Sequence, residues 1–427
     1  MSEASLKITA LVLFALMYVG VIGFPKYKTW IALAVAAVYV CLGVLPAGQI
    51  PAAINWNALL MIMGTMLIVY YFIESQMPNR IADALLGKAP DVMWATIFIS
   101  LFSGIVSAFI DNVATVLMVA PVGIAVCRKL KINPVGMIIA IAVSSNLQGA
   151  ATLVGDTTSI MLGAYAHMDF LDFFWMKNRP GMFFAVELGA LATVPIMMLL
   201  FRKDRQRVEA VTPTTVKDYI PSVTLELLVG LLITASFLPG KPEITNGLIC
   251  LTLAVLTMIL EAIRGKNTKA AIQAVKSVDY ETLGLLCALF CVIDGITNIG
   301  IIDDFADWIV KTGGNSMFLL YTMVVWGSVL ISAFVDNIPY VATMLPVLSA
   351  VTAQLGVEPY LLYFGLLSGA TLGGNLTPVG ASANITATGL LRKNGYEVSF
   401  KDFARIGIPF TLAAVIAGYL FIWFIWS

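Results

Sequence analysis

Charge is scarce in this sequence. Asp, Glu, Lys and Arg together make up 12% of 427 residues, and their signs cancel to a formal net charge of zero. Soluble domains carry about a quarter charged residues, so the deficit excludes an ordinary soluble surface. The zero balance removes any electrostatic case for a nucleic-acid partner. Histidine is nearly absent: His167, beside Met168-Asp169, is the only one and reads as a surface residue near the external interface. The five cysteines, Cys41, Cys127, Cys250, Cys287 and Cys291, lack metal-ligand spacing. Cys287 and Cys291 stand one helical turn apart and read as small apolar residues of a buried helix. No cofactor is expected. A basic leader is missing too. The first apolar run, Ile8 to Gly23, is preceded by Glu3 and a single basic residue, Lys7, and ends at Phe24-Pro25-Lys26. That pattern reads as a retained span, not a cleaved signal.

What the sequence has in excess is apolar surface. The AVILMFWYC set fills 59% of positions and the mean hydropathy is +0.92, so lipid must cover what water cannot. The expected class is an all-α integral membrane protein. A spanning helix needs ~20 mostly apolar residues, and such runs lie near 8–24, 30–47, 57–73, 181–200, 222–238, 244–262, 280–297 and 406–426. Four other apolar regions are interrupted. Residues 93–127 and 316–350 carry Asp-Asn at their middle, and 134–164 and 360–391 carry a Gly-rich polar stretch. Backbone leaves the helix at membrane depth only where protein or water covers it, so the interruptions point to a site.

Lys and Arg suggest the orientation. With the amino terminus outside, and with 93–127 and 316–350 as re-entrant hairpins that do not cross, most basic residues fall on the cytoplasmic side. Of the 25 Lys and Arg, only Lys7, Lys177, Arg179, Lys241 and Lys311 fall outside. That is the bias of cytoplasmic loops. A multi-pass protein of the cell membrane is expected, in a bacterial inner membrane, with both termini outside the cytoplasm.

Self-comparison reveals a repeat. Ser107-Ala-Phe-Ile-Asp111-Asn112 recurs as Ser332-Ala-Phe-Val-Asp336-Asn337, 225 residues on (336 − 111). The same offset relates Pro121 to Pro346, Gly149 to Gly374 and Thr152-Leu-Val-Gly155 to Thr377-Pro-Val-Gly380. Asn55-Trp-Asn-Ala-Leu59 matches Asp279-Tyr-Glu-Thr-Leu283 at 224 (279 − 55). The copies span about 1–207 and 222–427, joined by a linker at 208–221. An odd number of crossings in each would set them facing opposite ways, and inverted repeats whose broken helices meet near the midplane are a transporter architecture.

Four segments carry the chemistry. The hairpin tips supply Asp111, Asn112 and Thr115, and Asp336 and Asn337. The interrupted stretches supply Asn146, Gly149, Thr152, Gly155, Asp156 and Thr157, and Gly374, Asn375, Thr377, Gly380, Ser382 and Asn384. Glycine lets the backbone leave the helix and approach a ligand. Freed carbonyls and Asn, Ser and Thr oxygens suit a desolvated cation such as Na+, expected at Asp111, Asn112, Asp336 and Asn337. Exposed helix amino ends suit an anion.

A carboxylate inside the membrane costs at least ~2.5–3.5 kcal/mol and marks function by default. Asp111, Asp156 and Asp336 have no Lys or Arg within their own segments, and a carboxylate at that depth makes H+ a candidate passenger beside Na+. The plainer alternative is that Asp111 and Asp336 cap the second helix of each hairpin. For Asp156 it is stronger, because its repeat partner is Ala381.

At these residues the chain resembles the ion transporter superfamily. The branch is that of arsenite permeases, D-type sodium/proton antiporters and the melanosomal P protein, with a citrate-transporter-like domain. The resemblance covers nearly the whole chain. Asp336-Asn-Ile-Pro-Tyr-Val-Ala-Thr-Met-Leu-Pro346 and Gly373-Gly-Asn-Leu-Thr-Pro-Val-Gly-Ala-Ser-Ala-Asn384 look closest to the P protein, and Gly155-Asp-Thr-Thr-Ser-Ile-Met-Leu162 to the antiporters. The more distant divalent anion/sodium symporters carry Ser-Asn-Thr where this chain has Asp111-Asn112-Val113 and Asp336-Asn337-Ile338, which counts against sodium-coupled dicarboxylate transport. The resemblance implies a scaffold domain that forms a homodimer, a transport domain holding both hairpins, and elevator-type movement.

Among functions, secondary active transport of a small inorganic ion coupled to H+ or Na+ is favoured, with sodium/proton antiport first because the embedded polar groups read as acidic or neutral. A permease for an oxyanion, arsenite or a dicarboxylate is the alternative. An intramembrane aspartyl protease would resemble its relatives in Tyr-Asp and Gly-x-Gly-Asp, and this chain has Ile110-Asp111, Val335-Asp336 and Val154-Gly155-Asp156 instead. An enzyme is not expected. A channel fits paired hairpins less well than alternating access does.

Overall fold

Long apolar runs form helices here, closed at Gly43 and Gly356 by left-handed turns and begun afresh after Asp111 and Asp336. A computed structural model describes residues 3–208, 213–265, 268–313 and 316–427. Residues 209–212 of the expected linker and Lys266 of the expected cytoplasmic set lie outside the described residues. Helix dominates, beside a two-stranded antiparallel ribbon of β1 (Trp175–Met176) and β2 (Arg179–Pro180).

The first part of the chain runs α1 (Glu3–Gly23), α2 (Lys28–Leu42), α3 (Ile50–Ala53), α4 (Trp56–Glu74) and α5 (Met77–Leu86). It continues α6 (Val92–Ser107), α7 (Asn112–Lys129), α8 (Val135–Gly149), α9 (Thr157–Tyr165) and α10 (Met182–Leu200). The second part runs α11 (Ile220–Ser236), α12 (Thr245–Gly265), α13 (Thr268–Ser277), α14 (Tyr280–Asn298) and α15 (Ile301–Gly313). It ends with α16 (Met317–Ser332), α17 (Asn337–Leu355), α18 (Tyr360–Gly373), α19 (Ser382–Lys393) and α20 (Phe400–Trp426). Helices α6 to α9 each begin 225 residues before α16 to α19, at 92/317, 112/337, 135/360 and 157/382. The sequence offset is therefore also an offset of helix starts.

Among the described residues, eight helices are long and apolar enough to cross a membrane: α1, α4, α7, α10, α12, α14, α17 and α20. Two expected spans are shorter than these. α2 has 15 residues because Gly43 turns into the left-handed region at φ 74° and donates its N–H to the Tyr39 and Val40 carbonyls. α11 has 17 residues and ends at Ser236, ahead of Pro239. Conversely α7 and α17, expected as the second arms of hairpins, have 18 and 19 residues.

Packing places the interrupted helices at the centre. Every residue from Met137 to Gly149 in α8, and from Leu361 to Gly373 in α18, is buried. α6 packs on α8, α16 on α18, and α10 against α20. Around them α4 packs on α12 and α2 on α14. The outer helices present large apolar side chains outward, among them Val19, Leu191, Ile263 and Phe424. Apolar surface on every side suits burial against protein within and lipid without.

Candidate functional site

Each Asp-Asn tip is held by its aspartate. Asp111 Oδ2 accepts the N–H groups of Val113 at 3.0 Å and Ala114 at 3.1 Å. Asp336 Oδ1 accepts that of Ile338 at 3.2 Å. Both carboxylates thus cap the helix that follows, as Asp does at a helix start.

The interrupted stretches lock onto these tips. The Thr152 hydroxyl donates to the Ala108 carbonyl, and the Thr377 hydroxyl to that of Ala333. Across each stretch Ser159 Oγ donates to Gly149 O at 3.3 Å, and its repeat partner Asn384 donates Nδ2 to Gly374 O at 3.0 Å. Gly155 and Gly380 sit where these strands of backbone cross. A Cβ on Gly155 would lie 2.6 Å from Gly149 O and 2.7 Å from the Ser107 and Ala108 carbonyls. One on Gly380 would lie 2.6 Å from Gly374 O and 2.7 Å from Ala333 O. Glycine is required there by close backbone approach, and the group it spares is protein backbone.

The two stretches also join each other. Asn146 donates Nδ2 to Asn375 Oδ1 at 2.7 Å and to Asn384 Oδ1 at 2.9 Å, and Asn375 donates to Val143 O at 3.0 Å. Asn146, in the buried part of α8, thus reaches the second stretch and α19. Asp156 crosses over as well: its Oδ2 accepts Thr158 Oγ1 at 2.8 Å and Asn337 Nδ2 at 3.5 Å.

A cleft of about 360 Å³ opens onto this junction. Its wall includes Asp111, Asn112, Asp156, Thr157, Asn337 and Ser382 from the expected set. Asn112, Thr157, Asn337 and Ser382 are the first residues of α7, α9, α17 and α19, so four helix amino ends converge there. Thr115 is turned away, its hydroxyl 3.5 Å from Ile110 O. Gly149, Thr152, Gly155, Gly374, Asn375, Thr377, Gly380 and Asn384 form the buried frame behind the wall. Sequence reading missed Glu74, Asp279, Thr65 and Thr282, which line the cleft from α4 and α14. Asp279 stood in the recognised repeat as a helix start, and Glu74 closes a span, so neither had looked embedded.

The embedded polar groups are not all acidic or neutral. Asp336 has a basic partner from outside its own segment: Lys28 Nζ donates to Asp336 Oδ2 at 2.7 Å. Lys28 begins α2, 308 positions away in the chain. Nearby, the Tyr18 hydroxyl of α1 donates to Pro339 O at 2.7 Å and sits 2.5 Å from Thr343 Oγ1.

The family model described as citrate transporter matches residues 11–367. The chain belongs to that family. An uncharacterized transporter of Mycobacterium tuberculosis is 29% identical over 429 residues, covering 98% of both chains. The 46 kDa membrane protein of Mycobacterium leprae is 27% identical with the same coverage. The human P protein is 25% identical over 86% of this chain and 53% of its own, so this transporter spans about half of that relative. In three dimensions the Alcanivorax borkumensis YdaH transporter superposes with a TM-score of 0.59, at 14% identity, over 88% of this chain and 86% of that one. At that identity the likeness shows the fold. The chain is accordingly a multi-pass membrane transporter of the ion transporter superfamily.

Proposed function

We propose that this transporter exchanges sodium for protons through the cleft between the two hairpin tips. The observation that carries the reading is the charge of the wall. Glu74, Asp111, Asp156 and Asp279 line it, and none of its described lining residues is Lys, Arg or His. Lys28 lies outside that lining and is already paired with Asp336. The oxygens of Asn112, Thr157 and Ser382 supply neutral ligands beside the carboxylates, the donor set a desolvated monovalent cation takes. Two inverted copies, with hairpins that re-enter from opposite faces, would let either side reach this junction in turn. A dimeric scaffold and elevator movement of the hairpins belong to the same proposal.

A second reading has its own support. Four helix amino ends meet at the cleft, and such ends favour anions. The family's description as citrate transporter points the same way. Against it, Asp111, Asp156 and Asp336 already occupy the residue before three of those ends, leaving only α19, preceded by Ala381.

Purified protein in liposomes, with sodium and pH gradients imposed separately, tests the two. Sodium-driven proton movement that is indifferent to citrate is expected. Citrate uptake without sodium/proton exchange would transfer the cleft to the anion reading.

A further inference from the structure

A second, smaller cleft of about 230 Å³ lies elsewhere in the molecule, lined in part by Asn55, Asp294 and Thr297. Its wall is the repeat counterpart of the first. Met66, Val69, Tyr70 and Ile73 of α4 line the large cleft, and the residues 224 further on, Phe290, Ile293, Asp294 and Thr297 of α14, line the small one. Leu117 and Ala342, 225 apart, take the same places on α7 and α17. Asp279, just before α14, lines the large cleft, and Asn55, just before α4, lines the small one.

Those last two residues fix how the clefts are disposed. The large cleft joins the carboxyl end of α4, at Tyr70 and Glu74, to the amino end of α14, at Asp279 and Thr282. The small cleft joins the carboxyl end of α14, at Asp294 and Thr297, to the amino end of α4, at Asn55. The two helices therefore run in opposite senses, with one cleft at each end. Each has 19 residues, a length of about 28 Å at 1.5 Å per residue. That is close to the ~30 Å of a bilayer's hydrocarbon core. The clefts thus stand at opposite faces of one membrane. Only the large one reaches the Asp-Asn tips. The small one meets α17 at Ala342 and Leu345, beyond the tip at Asn337.

Asp294 is the one carboxylate in the described wall of the small cleft, which contains no Lys, Arg or His. Its Oδ2 accepts Asn298 Nδ2 at 3.2 Å. Where the equivalent wall position of the large cleft carries Tyr70, this cleft carries a negative charge beside the Thr297 hydroxyl and the Asn55 amide.

We propose that the small cleft is the mouth of the transport path on the opposite face, and that Asp294 receives a monovalent cation there with Thr297. The proposal rests on the cation reading of the large cleft, but its position in the membrane can be tested without it.

Ile73→Cys and Thr297→Cys, each made after replacing the five native cysteines, are exposed to a membrane-impermeant thiol reagent in right-side-out and inside-out vesicles. Modification of Ile73→Cys from one face only and of Thr297→Cys from the other only is expected. Modification of both from the same face overturns the proposal. Asp294→Asn is then assayed with sodium supplied at either face. The half-saturating sodium concentration at the Thr297 face should rise about two- to five-fold, the scale of one interaction with a partly exposed carboxylate, with little change at the Ile73 face. An equal change at both faces, or none, overturns the cation role. Should Asp294→Asn fail to accumulate, Thr297→Ala carries the same expectation. If the unsubstituted protein exchanges no sodium, the cation reading of both clefts falls, and the thiol result still decides whether the small cleft is the opposite mouth.

Discussion

Lys28 and Asp336, separated by 308 positions in the chain, form an ion pair of 2.7 Å that ties the start of α2 to the second Asp-Asn tip. Both side chains are mostly buried, at 18% and 19% exposure. Asp111, the repeat partner of Asp336, accepts the backbone N–H groups of Val113 and Ala114 and has no ion pair among the described residues. The two tips are therefore chemically unequal although their sequences nearly coincide.

Removing one partner of this pair should cost more than removing both. Lys28→Gln leaves the mostly buried Asp336 charge with its cap bond alone, at a cost of roughly 1.5–3 kcal/mol, the range for a hydrogen bond to a charged group. Lys28→Gln with Asp336→Asn removes both charges and keeps a capping side chain. Thermal unfolding in detergent should show a clear drop in Tm for the single variant and partial recovery for the double. A double variant no better than the single would mean that Lys28 acts through something other than the pair.

Gly155 and Gly380 permit a second test. A Cβ at either meets backbone carbonyls at 2.6–2.7 Å, and backbone cannot rotate aside as a side chain end does. Gly155→Ala and Gly380→Ala should each destabilise by about 1–3 kcal/mol, as overpacking does. Transport should fall together with the folded yield. Gly230→Ala, whose Cβ meets open space on α11, serves as control and should be neutral or stabilising. If Gly155→Ala loses transport with undiminished Tm, the glycine guards a ligand and not the backbone crossing.

Much of this architecture could be read from residue order because membrane helices are written in long local runs and the repeat preserves its spacing. Asp111-Asn112 and Asp336-Asn337 marked two helix starts, and the Gly149–Gly155 and Gly374–Gly380 stretches marked two interruptions, each at the expected residues. What could not be read were contacts between distant parts of the chain. Lys28 looked like one basic residue among many in a loop, and its pairing depends on how α2 and α17 each pack against α14. Asn146 sits in one copy of the repeat and bonds in the other, which no local pattern encodes. α2 is shorter than its apolar run because that run continues past the Gly43 turn, and α11 keeps the expected 17 residues but lies two positions earlier in the chain.

Topology offers a third test that needs no substrate. The threading with the amino terminus outside places Lys129 and Arg205 in the cytoplasm and Lys241 outside. Cysteines at these positions should react with an impermeant reagent from the matching face only. Lys241 carries an ion pair to Asp169, so its variant should be checked for folded yield first. Reaction at the Lys129 and Lys241 positions from the same face would remove the inverted arrangement.

The last test separates capping from coupling at the tips. Both aspartates cap their helices, and Asn caps as well as Asp, so Asp111→Asn and Asp336→Asn preserve the helix start while removing a charge. Their neighbourhoods then predict different outcomes. Asp111 lines the cleft and has no basic partner among the described residues, so Asp111→Asn should keep its Tm and lose sodium/proton exchange. Asp336 does not line the cleft and holds Lys28, so Asp336→Asn should leave an unpaired ammonium, lower Tm, and reduce exchange through stability. Adding Lys28→Gln to Asp336→Asn should restore part of the exchange, whereas no second substitution at Lys28 should restore Asp111→Asn. Exchange rates in liposomes, normalised to folded protein, decide the matter. Full exchange by Asp111→Asn would leave its carboxylate as a cap only and shift the coupling charge to Asp156, which lines the cleft and bonds to Asn337 of the second tip.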